Sequence, residues 1–351
     1  MRVLLVGPWP PPFGGVQTHL ASLRQRLRDR GMQAEVVNIT SARATGDEGV
    51  HYPRTAWQLM RLLAGRECDV IHLHLGGHLS ARLLALCAVV TCLPRRRSVL
   101  TFHSGGYPSS PAGKTATRRT ARGLVMRRFD RIIVVNRELQ ALFLRLGCRA
   151  DAVRLIAPHS LPLDAVPALR ADARAALPPG IAAFFDRHEG VLLSVGLLEP
   201  EYDLELQIRA ISRIRESNPG TGLIIIGGGS RHQDLARMIA DSPDRDHILL
   251  AGDVPHADTL RAIRASDALL RTTKYDGDSI SVREALAMGT PVIATDTGLR
   301  PDGCILFRVG DLDGLAAAVR DVPPATEVLE QVEAGGENLD AVIALYEELA
   351  A

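Results

Sequence analysis

A chain of 351 residues exceeds what one core usually serves, so two domains are expected; 46% hydrophobic and 23% charged residues is ordinary globular composition. The five cysteines, Cys68, Cys87, Cys92, Cys148 and Cys304, are scattered and form no CxxC pair, which argues against a disulfide framework or a zinc site and suits a reducing cytosol. The net charge of +1 hides an asymmetry: residues 1–160 carry 24 Lys and Arg against 9 Asp and Glu, and the remainder carries 17 against 31.

The opening run RVLLVG (2–7) reads as a strand, and MRVLLVGPWPPP is too short in apolar residues for a signal peptide. A Pro/Gly loop follows, then a helix over Val16–Arg30 that stops at Gly31. AEVVNI (34–39), DVIHLHL (69–75), SVLTFHS (98–104) and RIIVVN (131–136) are further strands. The apolar run Leu83–Leu93 falls short of the ~20 residues a membrane-spanning helix needs, so it reads as a buried helix. A Pro/Ala-rich stretch over 158–180 has no strand pattern and marks the join between domains.

The second half repeats the scheme. Strands are expected at 191–196, 223–229, 247–252, 268–273 and 291–296. Helices are expected at Leu204–Glu216, Arg231–Ala240, Ala257–Ala265 and Ser281–Met288, with a last one over 337–350. Strands that alternate with helices define βα units. The expected fold is therefore α/β, with two Rossmann-like, doubly wound parallel-sheet domains whose strand carboxyl ends face a ligand-binding crevice. The expected limits are 1–165 for the first domain, 166–188 for a linker and 189–335 for the second domain, with a C-terminal helix, 336–351, packing back on the first.

Several stretches carry chemistry. Gly14 and Gly15 lie between a strand and a helix N-terminus, where backbone amides and the dipole suit a phosphate; a plain strand-to-helix turn is the alternative reading of the same residues. The glycine run of LIIIGGGS lacks the G-x-G-x-x-G spacing of a dinucleotide site. His72 and His74 alternate on one strand and so share a face. His72 reads as a satisfied core histidine, and His103, beside SGG, as a functional one. No metal-ligand spacing is present, so no metal site is expected.

The stretch TKYDGDSISVREALAMGTP is the most informative. Gly277, Asp278 and Ser279 form a turn after a strand, and Ser281 is a plausible N-cap for the helix that follows. Amides of Ser279, Ile280 and Ser281 then suit a diphosphate, Glu284 in the first helical turn suits a ribose cis-diol, and Asp276 suits hydroxyls at the other end of the ligand. The bland reading is an N-capped helix with acids in its first turn.

The basic cluster of Arg95, Arg96, Arg97, Lys114, Arg118, Arg119, Arg122, Arg127 and Arg128 has two readings: a surface for anionic lipid, or a solvated arginine-rich face. No aromatic-interleaved basic motif or helix-turn-helix stands out, so nucleic acid is not expected as a partner.

The order of these blocks resembles the retaining glycosyltransferases of family 4, which have the GT-B fold. GPWPPPFGGVQTHLASL, DVIHLHL, TFHSGG, RIIVVN, VGLLEPEYDLELQIRAI, LIIIGGGS, LAGDVPHADTL and DGDSISVREALAMGTPVIATDTG carry the likeness, over about residues 1–320. The family's Glu, seven residues, Glu is here Asp276, seven residues, Glu284. The resemblance implies that Glu284 holds the donor ribose, that Asp276 and the amides around Ser279, Ile280 and Ser281 hold donor sugar and distal phosphate, and that His103 contacts the sugar. It implies that Gly14 and Gly15 admit the transferring centre, that Val254 lies at the nucleobase, and that Gly228 and Gly229 leave room for the nucleotide.

Two departures stand out. Where the family carries an Arg and a Lys that clamp the diphosphate, this chain has Leu197 and Tyr202. Their loss weakens leaving-group stabilisation by about several kcal/mol unless another cation replaces them, and Arg271 or Lys274 is the expected replacement. The expected function is a metal-independent, retaining hexosyl transfer from a nucleoside-diphosphate sugar to a glycan or lipid-linked acceptor. No other cofactor is expected, and the location is cytoplasmic or peripheral on an anionic membrane face. Two alternatives stand beside it: a donor-binding partner subunit with little catalysis, and a UDP-sugar epimerase of the same fold.

Overall fold

The structure, a computed structural model, describes residues 1–11, 14–40, 47–77, 79–157, 177–276, 279–322 and 336–350. The chain divides into two compact units. One comprises 1–11, 16–159 and 337–351; the other comprises 12–15 and 160–336.

Among the described residues, the first unit contains a seven-stranded sheet in the order β3-β2-β1-β4-β5-β6-β7. The strands are β1 (Arg2–Gly7), β2 (Gln33–Asn38), β3 (Val50–His51), β4 (Val70–Leu75), β5 (Arg97–Phe102), β6 (Arg131–Val134) and β7 (Val153–Leu155). All adjacent pairs are parallel. The strands read as near-continuous apolar runs because both faces are covered. Leu73, Phe102, Val134 and Phe143 pack on one face. On the other, Leu20, Leu23 and Leu27 of the helix Gly15–Asp29 meet Leu339, Ile343 and Tyr346 of the helix Gly336–Ala350. Arg26 holds that last helix through a two-pronged contact with Asp340, at 2.9 Å for each bond.

The second unit contains a six-stranded sheet in the order β10-β9-β8-β11-β12-β13, again all parallel. Its strands are β8 (Gly190–Val195), β9 (Thr221–Ile226), β10 (Ile248–Gly252), β11 (Ala268–Arg271), β12 (Val292–Thr295) and β13 (Cys304–Phe307). In each sheet the strand order reverses once, between β1 and β4 and between β8 and β11. The carboxyl ends at such reversals are where ligands bind in open α/β sheets.

Three edge or near-edge strands, β3, β7 and β13, lie outside the sequence expectation. β3 and β7, two and three residues long, are too short for a periodic signal, and β13, four residues long like β11 and β12, is partly exposed where they are fully buried. Of the linker expected at 166–188, residues through 176 lie outside the described residues. Its last part is the helix Pro179–Arg187, whose Ile181, Phe184 and Phe185 pack in the second unit's core. The helix read over Leu83–Leu93 is Ala81–Val90, and it buries Leu86, Cys87 and Val90. No helix among the described residues is long and apolar enough to cross a membrane.

Candidate functional site

In the second unit the candidate residues gather at the carboxyl ends of β8 and β11. Arg271 is the last residue of β11 and is buried. Its Nε donates to Asp276 Oδ2 at 2.8 Å, and its Nη1 donates to the Val195 carbonyl, at the end of β8, at 3.1 Å. Its guanidinium stacks over the Tyr202 ring, 4.7 Å from the centroid. A Cβ on Gly196 would meet Tyr202 Cε1 at 2.3 Å and Arg271 Nη1 at 3.1 Å, so only glycine lets the ring and the cation sit there.

Arg300, which sequence reasoning missed, also holds Asp276: its Nη1 donates to Oδ2 at 2.7 Å. Burial opposes ionisation of Asp276, but the two guanidiniums outweigh it and hold the carboxyl down to about 2. Arg300 follows β12 in a loop of no recognisable motif, so only the fold reveals it.

The helix after this cluster is Ile280–Ala287. Its N-cap is Ser279 rather than Ser281. Ser279 has extended backbone angles and its Oγ accepts from the Val282 amide, whereas Ser281 is already helical. The amides of Ile280 and Ser281 fall in the first turn, where no intrahelical acceptor exists. Glu284 lies two residues deeper than expected: it is the fifth helical residue, and no acid occupies the first turn. Glu284 is 3% exposed, and its Oε1 lies 2.7 Å from Nε2 of His256, a second residue that sequence reasoning missed. Gly277 and Asp278 lie outside the described residues.

Lys274 takes no part in this cluster. Its side chain is 51% exposed, and its Nζ lies 3.9 Å from Asp203 Oδ1. Gly228 and Gly229 are needed for close packing: a Cβ on Gly228 would meet Asp253 Oδ2 at 2.7 Å, and one on Gly229 would meet the Leu198 carbonyl at 2.5 Å. Val254 is buried against the apolar core.

Gly14, which is buried, and Gly15 fall in the 12–15 segment of the second unit; Gly15 is the first residue of the helix Gly15–Asp29, whose later residues, His19 among them, belong to the first unit. His19, His74 and His103 form a group whose ring nitrogens lie within 4.8 Å of one another. His74 Nδ1 and His103 Nε2 are 3.4 Å apart. Burial pushes His103 down to about 4 and His74 well below the usual histidine value, with neighbouring imidazoles adding to the effect on His74. His74 and His103 are therefore neutral at pH 7 and offer hydrogen bonds rather than charge. His72, one pleat below, is a core residue: its nitrogens meet Tyr346 Oη and, at 2.7 Å, Thr101 Oγ1.

The basic cluster separates into two kinds. Arg96 caps the helix Ala56–Gly65 through the Leu63 and Ala64 carbonyls, and Arg97 binds the Leu349 carbonyl at 3.1 Å. Lys114, Arg118, Arg119 and Arg127 are exposed. On the helix Ala56–Gly65, Trp57 is 75% exposed, the largest apolar side chain left open.

Two parallel-sheet units, each with candidate residues at its switch point, define a nucleotide-binding type of α/β enzyme fold. Residues 13–158 match the family described as Glycosyltransferase Family 4, and residues 183–337 match Glycosyl transferases group 1. The chain belongs to the group 1 glycosyltransferases of family 4. A GDP-mannose-dependent alpha-(1-6)-phosphatidylinositol monomannoside mannosyltransferase of Mycolicibacterium smegmatis is 26% identical over 91% of this chain and 88% of its own length. A glycogen synthase of Mycobacterium tuberculosis is 33% identical over 37% of this chain, and the chain spans only 33% of that relative. Among solved structures, Anabaena HepE in complex with UDP-glucose superposes with a TM-score of 0.68 at 18% identity, covering 100% of this chain and 98% of that one. An alpha,alpha-trehalose 6-phosphate synthase from Burkholderia multivorans gives 0.69 at 15% identity, covering 99% and 97%. These likenesses establish the GT-B fold.

Proposed function

We propose that the chain is a retaining glycosyltransferase that moves a hexosyl group from a nucleoside-diphosphate sugar to a glycan or lipid-linked glycan acceptor. The observation that carries this reading is the position of Arg271. Its guanidinium stands over Tyr202 and beside Gly196, next to both positions where family members carry the diphosphate clamp. A buried cation there, together with the first-turn amides of Ile280 and Ser281, suits the charge that develops on a departing diphosphate.

The remaining roles follow from chemistry. Glu284 accepts hydrogen bonds from ribose hydroxyls, and His256 holds the carboxylate in place. Asp276 is assigned hydroxyls of the donor sugar, and His103, kept neutral, is suited to hydrogen-bonding sugar hydroxyls. Gly14 and Gly15 let backbone approach the reacting centre. The anomeric C–O bond to the diphosphate breaks, the acceptor oxygen attacks the same face, and the leaving phosphate oxygen takes the acceptor proton. Arg271 supplies the positive charge, so the reaction is proposed to need no metal ion. The mannosyltransferase relative, whose name carries phosphatidylinositol monomannoside, supports a lipid-linked acceptor; work at the cytoplasmic membrane face is proposed from that acceptor class alone.

The test is a transfer assay. The protein is incubated with GDP-mannose or UDP-glucose and a phosphatidylinositol mannoside or glycan acceptor. Nucleoside diphosphate release is followed, and the product anomer is read by NMR. Transfer with retention is expected; inversion, or isomerised sugar without acceptor, contradicts the reading.

A further inference from the structure

The cluster beyond β11 holds more positive than negative charge. Arg271 Nε and Arg300 Nη1 both donate to the single oxygen Oδ2 of Asp276, at 2.8 and 2.7 Å. The side chains are 9%, 3% and 13% exposed for Arg271, Arg300 and Asp276. Among the described residues neither arginine has a second carboxylate within ion-pair distance. Two buried cations therefore share one anion, an arrangement that is costly unless another anion joins it.

Arg300 is fixed in place for that purpose. Its Nε donates to the Thr295 carbonyl at 2.9 Å, and its Nη2 donates to Thr273 Oγ1 at 2.6 Å and to Thr295 Oγ1 at 3.0 Å. Nη1 carries two hydrogens, and only one of them has an acceptor among the described residues. Burial pushes the Arg300 guanidinium down, Asp276 offsets this only in part, and Arg271 adds repulsion. The first turn of Ile280–Ala287, four residues past Asp276, adds the positive end of a helix.

We propose that Arg300 acts with Arg271 as a phosphate-binding cation pair, whose surplus charge takes the diphosphate of the donor. The identity of the anion as a nucleotide rests on the function proposed above; the presence of an anion site rests on the cluster alone. Asp276 on this account also orients both guanidiniums, and its shorter side chain leaves room for the second arginine.

The experiment is isothermal titration of the full chain with sodium pyrophosphate, GDP, UDP, guanosine and uridine, for wild type, Arg300→Gln and Arg300→Lys. Arg300→Gln is expected to weaken pyrophosphate and nucleoside diphosphate binding by roughly 10- to 100-fold and to leave nucleoside binding within about twofold. Arg300→Lys keeps the charge but loses the planar fork and is expected to weaken phosphate binding by roughly fivefold; it serves alone if the Gln variant does not fold. Unchanged phosphate binding in these variants overturns the proposal. Equal weakening of nucleoside and diphosphate also overturns it, since that marks a structural role. A wild type that binds neither pyrophosphate nor any nucleotide overturns it too. Binding of pyrophosphate that depends on Arg300, without any nucleotide binding, supports the cation pair and removes the donor reading.

Discussion

His256 Nε2 lies 2.7 Å from Oε1 of Glu284, and Glu284 is 3% exposed. A carboxylate at that depth is stable only with a partner. Burial opposes the charged imidazolium, but the hydrogen bond and charge of Glu284 outweigh it, so the histidine titrates above its usual value. The pair fixes the orientation of the carboxylate to which the donor ribose is assigned.

This pair gives a pH-dependent stability term. A histidine whose folded-state pKa is raised stabilises fully below its unfolded value and loses that contribution as pH rises through the folded value. His256→Ala is expected to cost about 1–2 kcal/mol at pH 6 and less at pH 9. Urea unfolding followed by circular dichroism checks this; a cost independent of pH contradicts it.

The first unit shows the opposite sign. His72, His74 and His103 are held below the usual histidine value by burial. Below pH ~6.5 the unfolded chain binds protons that the folded unit refuses, so stability falls as pH drops, by up to about 1.4 kcal/mol per pH unit for each group. Both tryptophans of the chain, Trp9 and Trp57, belong to this unit, so their fluorescence isolates its transition. The unfolding midpoint is expected to fall between pH 7 and 5, and less steeply in His103→Asn.

Arg271 and Lys274 make a paired test. Arg271→Ala is expected to lower turnover by roughly 10²- to 10³-fold, the scale of losing one preorganised charge donor. Lys274, half exposed beside Asp203, is expected to tolerate alanine within about threefold. Steady-state rates on one donor and acceptor pair decide; the reverse ranking contradicts the assignment.

Much of the fold was legible because its signals are periodic. Ten strands, from β1 to β12 without β3 and β7, are largely apolar runs, mostly buried except for the half-buried β10, and each was read close to its observed limits. β3 and β7 carry too few residues to show a period, and β13, no shorter than β11 or β12, is a partly exposed edge strand. The Asp276 to Glu284 spacing was legible as well, because local turn chemistry and a helix start surround it. Arg300 and His256 were not: they reach Asp276 and Glu284 from 24 and 28 residues away, and only strand pairing brings them there. The N-cap was read two residues late because both Ser279 and Ser281 are suitable, and only backbone angles separate them.

The lipid-facing reading rests on Trp57, 75% exposed, and on the exposed Lys114, Arg118, Arg119 and Arg127. An amphipathic indole and exposed cations are each side chains that suit an anionic bilayer interface. Flotation with phosphatidylglycerol vesicles at low salt is expected to carry the wild type upward, and Trp57→Ser to reduce the bound fraction severalfold. Equal flotation of both contradicts an interfacial role for this helix.

The central claim is that the second unit binds a nucleoside-diphosphate donor through Glu284 and the cationic cluster. A thermal-shift panel with UDP, GDP, ADP and dTDP on wild type and Glu284→Ala tests it most directly. A nucleotide at 100 times its dissociation constant stabilises by about 2.7 kcal/mol, an easily read shift. One nucleotide is expected to raise the wild-type midpoint and leave the variant unmoved. Equal shifts in wild type and variant, or none with any nucleotide, would contradict the account.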